Sequence, residues 1–336
     1  MEKYFYRVKS MNKNIKIFFN YFLGPFLLIW FSFSIFHQIK NQSNFYESWI
    51  FIKDSFFSSA IVYLFFTLFL MLVNWSLEAW KWKISVQKVQ DVSFLTSCKA
   101  ILSGVSFAVT LPNRMGEYLG RALYMEEGKR MRMIALTVLG SISQLLVTLY
   151  FGILGLLLFG NILFKQTNSL FSSNTMLLLF ALGIASLLLL TFFYFRLRFI
   201  VQRIGKWKWA HKYSYVLEEM EKTPSKLLLQ LLIISTIRYF VFLLQYYLLF
   251  QFFGVAINGW HIMGATTIMF FVMAIIPTIA LFEVVQKLFV AKEIFYFLTP
   301  NLLGVGFVTT TIWMINLIIP AAIGSLLMLR GSFIKK

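Results

Sequence analysis

The chain has 336 residues, of which 59% are hydrophobic and only 13% charged, and its mean hydropathy is +0.76. That composition excludes a soluble globular enzyme, a disordered chain and a fibre, because it carries more apolar surface than one water-facing core can bury. The formal charge of +18, from 31 Lys and Arg against 13 Asp and Glu, serves topology first: basic loops stay in the cytoplasm and attract anionic lipid heads. One cysteine, Cys98, excludes an internal disulfide, and with three scattered histidines it leaves no zinc or iron–sulfur ligand set. No metal and no cofactor is expected.

Crossing the hydrocarbon core takes about 20 apolar residues. The first such run, Ile17 to Phe36, follows Lys3, Arg7, Lys9 and Lys13. It is long, aromatic and followed by no small-residue cleavage site, so a retained anchor is expected rather than a signal peptide. The stretch from Asn41 to Ser55 balances Lys53 against Glu47 and Asp54 and is expected outside. The second run, Phe56 to Leu77, leads to Lys81, Lys83 and Lys88, which mark a cytoplasmic end. Trp75, Trp80 and Trp82 around that end are expected to form an interface belt.

Val92 to Met125 is apolar but interrupted at Leu111-Pro112-Asn113-Arg114-Met115-Gly116-Glu117, and it ends before Lys129-Arg130-Met131-Arg132. With both ends cytoplasmic, it must dip into the bilayer and return. The third and fourth spans are Met133 to Leu158 and Thr175 to Phe195, joined outside by a loop whose one charge is Lys165. A cytoplasmic loop over 196–226 follows, with Arg196, Arg198, Arg203, Lys206, Lys208 and Lys212; its Lys206 to Trp209 core suits a helix lying on anionic lipid. The fifth span, Leu227 to Phe253, exits outside. His261 to Leu298 is split at Pro277-Thr278-Ile279-Ala280-Leu281-Phe282-Glu283, and a sixth span, Leu302 to Leu329, returns to the basic tail at Arg330, Lys335 and Lys336.

The expected fold is all-α, a single integral membrane domain over 1–336 with six full spans and two re-entrant broken-helix hairpins. One half covers 15–164 with its hairpin at 92–126, and the other covers 174–330 with its hairpin at 260–298. Span, span, hairpin and span recur in the same order but upside down, which makes an inverted repeat with both termini cytoplasmic. Broken helices that meet near the midplane line cavities in transporters.

An ionisable group at bilayer depth costs about 2.5–3.5 kcal/mol on insertion scales, so each invites a functional question. Arg238 lies inside the fifth span beside Ser235, Thr236 and Tyr239. It either pairs with a carboxylate to hold the bundle or grips a lipid phosphate or substrate carboxylate. Glu117 and Arg121 follow the first break at i, i+4 spacing, and Glu283 and Lys287 repeat that spacing after the second. Each pair can bond to itself. The carboxylates either cap a helix amino terminus or receive a cationic head group or coupling proton. Arg114 either reaches a phosphate or anchors at the interface, and Gln144 reads as packing glue between helices.

Enzyme classes fare worse. A metalloprotease needs paired His and Glu at helical spacing, whereas His37, His211 and His261 stand far apart. No Walker loop, dinucleotide fingerprint or Ser–His pairing is present. A membrane glycosyltransferase acting on a lipid-linked substrate, or an accessory subunit of one, is the alternative reading; it would rest on Glu47 and Asp54. Nucleic-acid binding is excluded, since the positive charge lies at membrane-proximal ends.

Ser103-Gly104, Leu111-Pro112-Asn113-Arg114-Met115-Gly116-Glu117 and Arg121-Ala122-Leu123 together resemble the Pro-Gly-Arg-x-Gly-Glu signature of the lysylphosphatidylglycerol synthase transmembrane-region family, a flippase-like membrane domain. The resemblance continues through Gly140 to Gln144, Arg238-Tyr239 with Gln245-Tyr246-Tyr247, and Ile276-Pro277-Thr278 with Glu283, covering roughly Phe56 to Leu329. Asn113 stands where the family often has Gly, and the second break lacks the family's glycines. The resemblance implies movement of a lipid between leaflets of a bacterial cytoplasmic membrane. This chain, ending at Lys336, is not expected to perform the synthase reaction that those members owe to a following soluble domain. Arg114, Glu117, Arg121, Arg238, Glu283 and Lys287 are the expected substrate-binding residues, with Pro112, Gly116 and Pro277 as structural breaks. Membrane lipids, anionic phospholipid first among them, are the expected partners, with a second copy of the chain as a further one.

Overall fold

A computed structural model of the chain describes residues 45–110, 116–164, 173–196, 199, 203, 221–276 and 283–330. The expected first span, Ile17 to Phe36, and the Lys206 to Trp209 segment lie outside the described residues, as do Pro112, Arg114 and Pro277. Among the described residues every regular element is a helix.

In chain order these are α1 (Phe45–Ser55), α2 (Ile61–Val86), α3 (Phe94–Thr110), α4 (Gly116–Ala122), α5 (Arg130–Phe164), α6 (Ser173–Phe195), α7 (Ser225–Phe252), α8 (Gly259–Ile275), α9 (Glu283–Phe295), α10 (Leu302–Trp313) and α11 (Ile319–Arg330). Helices α10 and α11 are joined through a π turn at Met314–Ile318. Four stretches are long and apolar enough to cross a membrane: Ile61–Val86, Arg130–Gly160, Ser225–Phe252 and Leu302–Met328. At about 1.5 Å per residue each exceeds the roughly 30 Å of hydrocarbon. Helix α6 covers the expected fourth span, and it turns Leu177, Leu178, Leu182, Leu188, Leu189 and Phe192 outward, as lipid contact requires.

The π turn has a local cause. Pro320 has no N–H to give to the carbonyl four residues back, and its ring crowds that carbonyl. Widening the preceding turn removes the conflict, and the Ile319 N–H bonds to the Met314 carbonyl five residues back.

Helix α2 departs from the expected second span, since it continues past Leu77 to Val86. Thr67, Met71, Asn74, Glu78, Lys81 and Ser85 recur at intervals of four and three residues on its buried face. Phe65, Phe66, Phe69 and Leu72 face outward. Lys81 is therefore no marker of a cytoplasmic end: it is buried inside the bundle. The tryptophan belt is also corrected, because Trp82 is buried in the core with Ala79, Ile101 and Met133 while Trp80 alone of the three is exposed.

The first hairpin consists of α3 and the short α4, which pack against each other. Their backbones touch: a Cβ on Gly116 would lie 2.0 Å from the Phe107 carbonyl oxygen. Helix α11 lies equally close on the other side of α3, where a Cβ on Gly324 would fall 2.0 Å from the Leu102 carbonyl oxygen and Ser106 donates to the Ala321 carbonyl at 2.6 Å. In the second hairpin α8 begins at Asn258, whose side chain accepts the Trp260 N–H at 3.0 Å, and α9 returns against it.

Contacts in the two halves correspond. Helix α2 packs on α3, and α7 on α8; α4 packs on α5, and α9 on α10; α2 packs on α5, and α7 on α10. Across the halves α5 packs on α8 and α11 packs on α3, while α2 and α7 pack on each other at the centre.

Replacing Gly116 by Val should force α3 and α4 apart, at a cost of about 1–3 kcal/mol for overpacking. The expected outcome is a lower thermal-unfolding midpoint in detergent and loss of the monodisperse gel-filtration peak. The outward-facing Leu189→Ala should change neither.

Candidate functional site

The buried face of α2 brings Glu78 to a point where three cations from three helices converge. Lys81, one turn along α2, bonds it at 2.9 Å through Oε2, Arg121 from α4 bonds it at 3.1 Å through Oε1, and Arg238 from α7 bonds Oε2 through Nη1. Relative exposures of 7%, 3%, 4% and 8% for Glu78, Lys81, Arg121 and Arg238 put all four inside the protein. Any one of them alone at this depth would carry a desolvation cost that only an opposite charge offsets. Glu78 supplies that charge to three at once.

Arg238 and Lys81 also donate to neutral acceptors. Arg238 Nε donates to Asn74 at 2.9 Å and its Nη1 to Gln144 at 3.2 Å, while its guanidinium lies 6.0 Å from the Phe242 ring centroid. Lys81 donates to the Gly140 carbonyl of α5 at 3.3 Å. Ser143, one turn on, donates to that same carbonyl at 2.7 Å and shares a hydrogen bond with Ser235 of α7 at 2.8 Å. Gln144 thus does more than hold helices together, because its carbonyl oxygen caps the arginine while its amide donates to the Ser235 carbonyl at 3.4 Å.

Arg121 differs from the other two. Its Nη2 bonds both Glu78 and, at 3.2 Å, Glu117, the i, i+4 partner expected from the spacing. Its Nε is buried and has no hydrogen-bond partner among the described residues. Glu117, with a side chain 23% exposed, is the most open member of the cluster. Among the described residues the cluster joins three cations to two carboxylates.

A row of amides leads away from this cluster between α2, α7 and the π turn. Asn74 donates to Asn316 at 3.5 Å, Asn316 to Gln245 at 3.1 Å, and Gln245 to the Thr67 carbonyl at 3.0 Å. Asn316 also donates to the Ile312 carbonyl at 3.2 Å.

Of the residues expected to bind substrate, Glu117, Arg121 and Arg238 come together here, through Glu78. Gly116 opens α4 directly beside them. Glu283 and Lys287 form their expected pair at 2.7 Å on α9, in the second hairpin. Arg114, Pro112 and Pro277 lie outside the described residues. Glu78, Asn74, Lys81 and Asn316 are members that span-counting passes over, since Glu78 follows the apolar run by one residue and Lys81 looks like a flank. The periodic buried face of α2 is the signal that finds the first three, whereas Asn316 lies in the π turn. The site is rich in donors and short of acceptors, and among the described residues no group of three His, Cys, Asp or Glu side chains could hold a metal.

The family model described as Lysylphosphatidylglycerol synthase TM region matches residues 26–291, a stretch that contains Glu78, Glu117, Arg121 and Arg238. No curated protein and no solved structure gives a match.

Glu78→Ala would leave three buried cations with one carboxylate, and it should cost about 3–5 kcal/mol. Adding Arg238→Met should restore part of that loss. A double-mutant cycle on unfolding in mixed micelles checks this, the expected sign being a positive coupling between the two positions.

Proposed function

This chain belongs to the lysylphosphatidylglycerol synthase transmembrane-region family, and from that premise we propose that it moves a lipid head group between the leaflets of the cytoplasmic membrane. The observation that carries the proposal is the donor-rich cluster around Glu78, set where the first hairpin meets α2, α5 and α7. A phosphate crossing hydrocarbon loses its hydration, and guanidinium and ammonium donors arranged in advance replace those hydrogen bonds. Arg121 and Arg238 hold the phosphate in this reading, and Glu117 and Glu78 balance them. Lys287 and Glu283 serve the corresponding place in the second hairpin.

The correspondence of packing between the two halves supports an inverted repeat, in which rocking of one half against the other about the α2–α7 contact opens the cluster to each leaflet in turn. Basic residues at Lys83 and Lys88, and again from Arg196 to Lys212, support a topology with those ends and both termini in the cytoplasm. Anionic phospholipid is the partner this charge pattern suits, and a second copy of the chain is a further one. The action is transport rather than bond-making, so no metal or cofactor enters it.

A leaflet-accessibility assay on vesicles reconstituted with the full chain tests the proposal. Crossing of a fluorescent phospholipid should fall to the protein-free rate in an Arg238→Ala, Glu117→Ala double variant that still elutes as a single gel-filtration peak. Unchanged crossing would remove the basis of the reading. Asp54→Asn, an exposed position at the end of α1, should leave the rate unaltered.

A further inference from the structure

We propose that Asn316, in the π turn between α10 and α11, is a positioning residue for Arg238, which it holds in place through Asn74. The use made of Arg238 rests on the transport reading, whereas the contact itself does not. Its basis is the direction in which the row of amides donates.

A side-chain amide offers an oxygen on one side and an NH2 on the other, so a row of them can run either way unless its ends decide. Here both ends decide. Arg238 has donors only, and its Nε takes the Asn74 oxygen at 2.9 Å. At the far end stand two backbone carbonyls, which only accept: Ile312 takes the Asn316 NH2 at 3.2 Å, and Thr67 takes that of Gln245 at 3.0 Å. Between them Asn74 Nδ2 donates to Asn316 Oδ1 at 3.5 Å, and Asn316 Nδ2 to Gln245 Oε1 at 3.1 Å. Every link therefore donates away from the arginine, and every side-chain oxygen faces toward it. Turning one amide round sets donor against donor, and Asn74 and Gln245 are fully buried where water cannot repair the fault.

Asn316 is the member that fixes this direction nearest to Arg238. The π turn that relieves Pro320 is centred on it, and the Ile312 carbonyl of the same span orients its amide independently of Gln245. Removing Gln245 thus leaves the orientation of Asn316 set. Removing Asn316 takes from Asn74 the acceptor of its NH2, and the Asn74 oxygen is then held on Arg238 by that one bond. A head group taken up by Arg238 competes for Nη1 with Glu78 and Gln144. Nε is a separate donor, so its bond to Asn74 keeps the guanidinium in place through the exchange. Packing alone ranks the two amides the other way, since Gln245 is fully buried and Asn316 only half-buried.

Nuclear magnetic resonance of the isotope-labelled full chain in detergent micelles reads the contact, with the Arg238 Nε–H signal identified by its loss in Arg238→Lys. Asn316→Leu should speed exchange of that proton with water about tenfold, the scale of one hydrogen bond lost. Gln245→Leu should speed it by less than about threefold. Added to Asn74→Leu, the Asn316 substitution should change nothing further, because it acts through Asn74. Asn316→Ala serves the same purpose should the leucine variant not elute as a single gel-filtration peak.

An unchanged proton in Asn316→Leu, or a larger effect from Gln245→Leu, overturns the inference. In the leaflet-crossing assay Asn316→Leu should slow phospholipid crossing several-fold, and a wild-type rate in a variant whose Arg238 proton has loosened overturns the positioning role. The transport reading fails separately: no crossing by the wild-type chain refutes it and leaves the proton measurement standing.

Discussion

A single carboxylate holds three buried cations together, and the central packing of this membrane protein depends on it. Glu78 reaches Lys81 on its own helix, Arg121 on the short arm of the first hairpin and Arg238 on the facing span. Two guanidinium groups and an ammonium brought so close in a medium of low dielectric would drive α2, α4 and α7 apart without it. Van der Waals contact alone gives transmembrane helices little preference for one neighbour over another, because lipid tails are as apolar as leucine. Charge supplies the preference here. It fixes which face of α2 meets α7 and where the hairpin arm must end.

The amide row extends the same logic along the bundle. From Glu78 to Thr67 along α2 is eleven residues, about 16 Å or half the hydrocarbon thickness, and over that length Asn74, Asn316 and Gln245 bond one another across three elements. Amides are both donors and acceptors and carry no charge, so they can pass from one partner to another at small cost compared with an ion pair. The π turn imposed by Pro320 belongs to this arrangement, because the residues it contains, Met314–Ile318, include Asn316.

Much of this was legible in the residues, for reasons that can be named. Long uncharged runs located α5 and α7 to within a few residues at their ends, since hydrocarbon tolerates little else. The i, i+4 spacing of Glu117 with Arg121 and of Glu283 with Lys287 gave both ion pairs, because a helix sets those distances locally. Arg238 was recognisable as needing a partner, but its partner was not. Glu78 and Arg238 are 160 positions apart, and no local rule links them. Charge at a span's end is ordinarily the mark of a water-facing flank, and that rule misplaced Lys81 and ended the second span early. The periodic polar face of α2 continues unbroken through Leu77, so periodicity should override hydropathy where the two conflict. Pro320 shows the converse, as its span contains a proline yet is continuous, with a π turn taking up the irregularity.

The ion pairs of the two hairpin arms bear on how such a protein would work. The arm of the first is tied by Arg121 to Glu78, and through Glu78 to α7. The corresponding arm of the second carries Glu283 and Lys287, bonded to each other one turn apart at 2.7 Å. A rigid-body movement of the second hairpin against its surroundings need not break the Glu283–Lys287 bond, whereas movement of the first must either carry α2 and α7 with it or break the Arg121–Glu78 bond and leave the guanidinium with Glu117. The first hairpin therefore moves with the central pair of spans or stays with it. In the proposed transport, an anion arriving beside Arg121 would ease that condition, because a further acceptor would join Glu117 in compensating the guanidinium as it loosens from Glu78. Coupling between ligand and movement would then need no further device, since the bond that holds the arm and the bond proposed to hold the ligand would share one side chain.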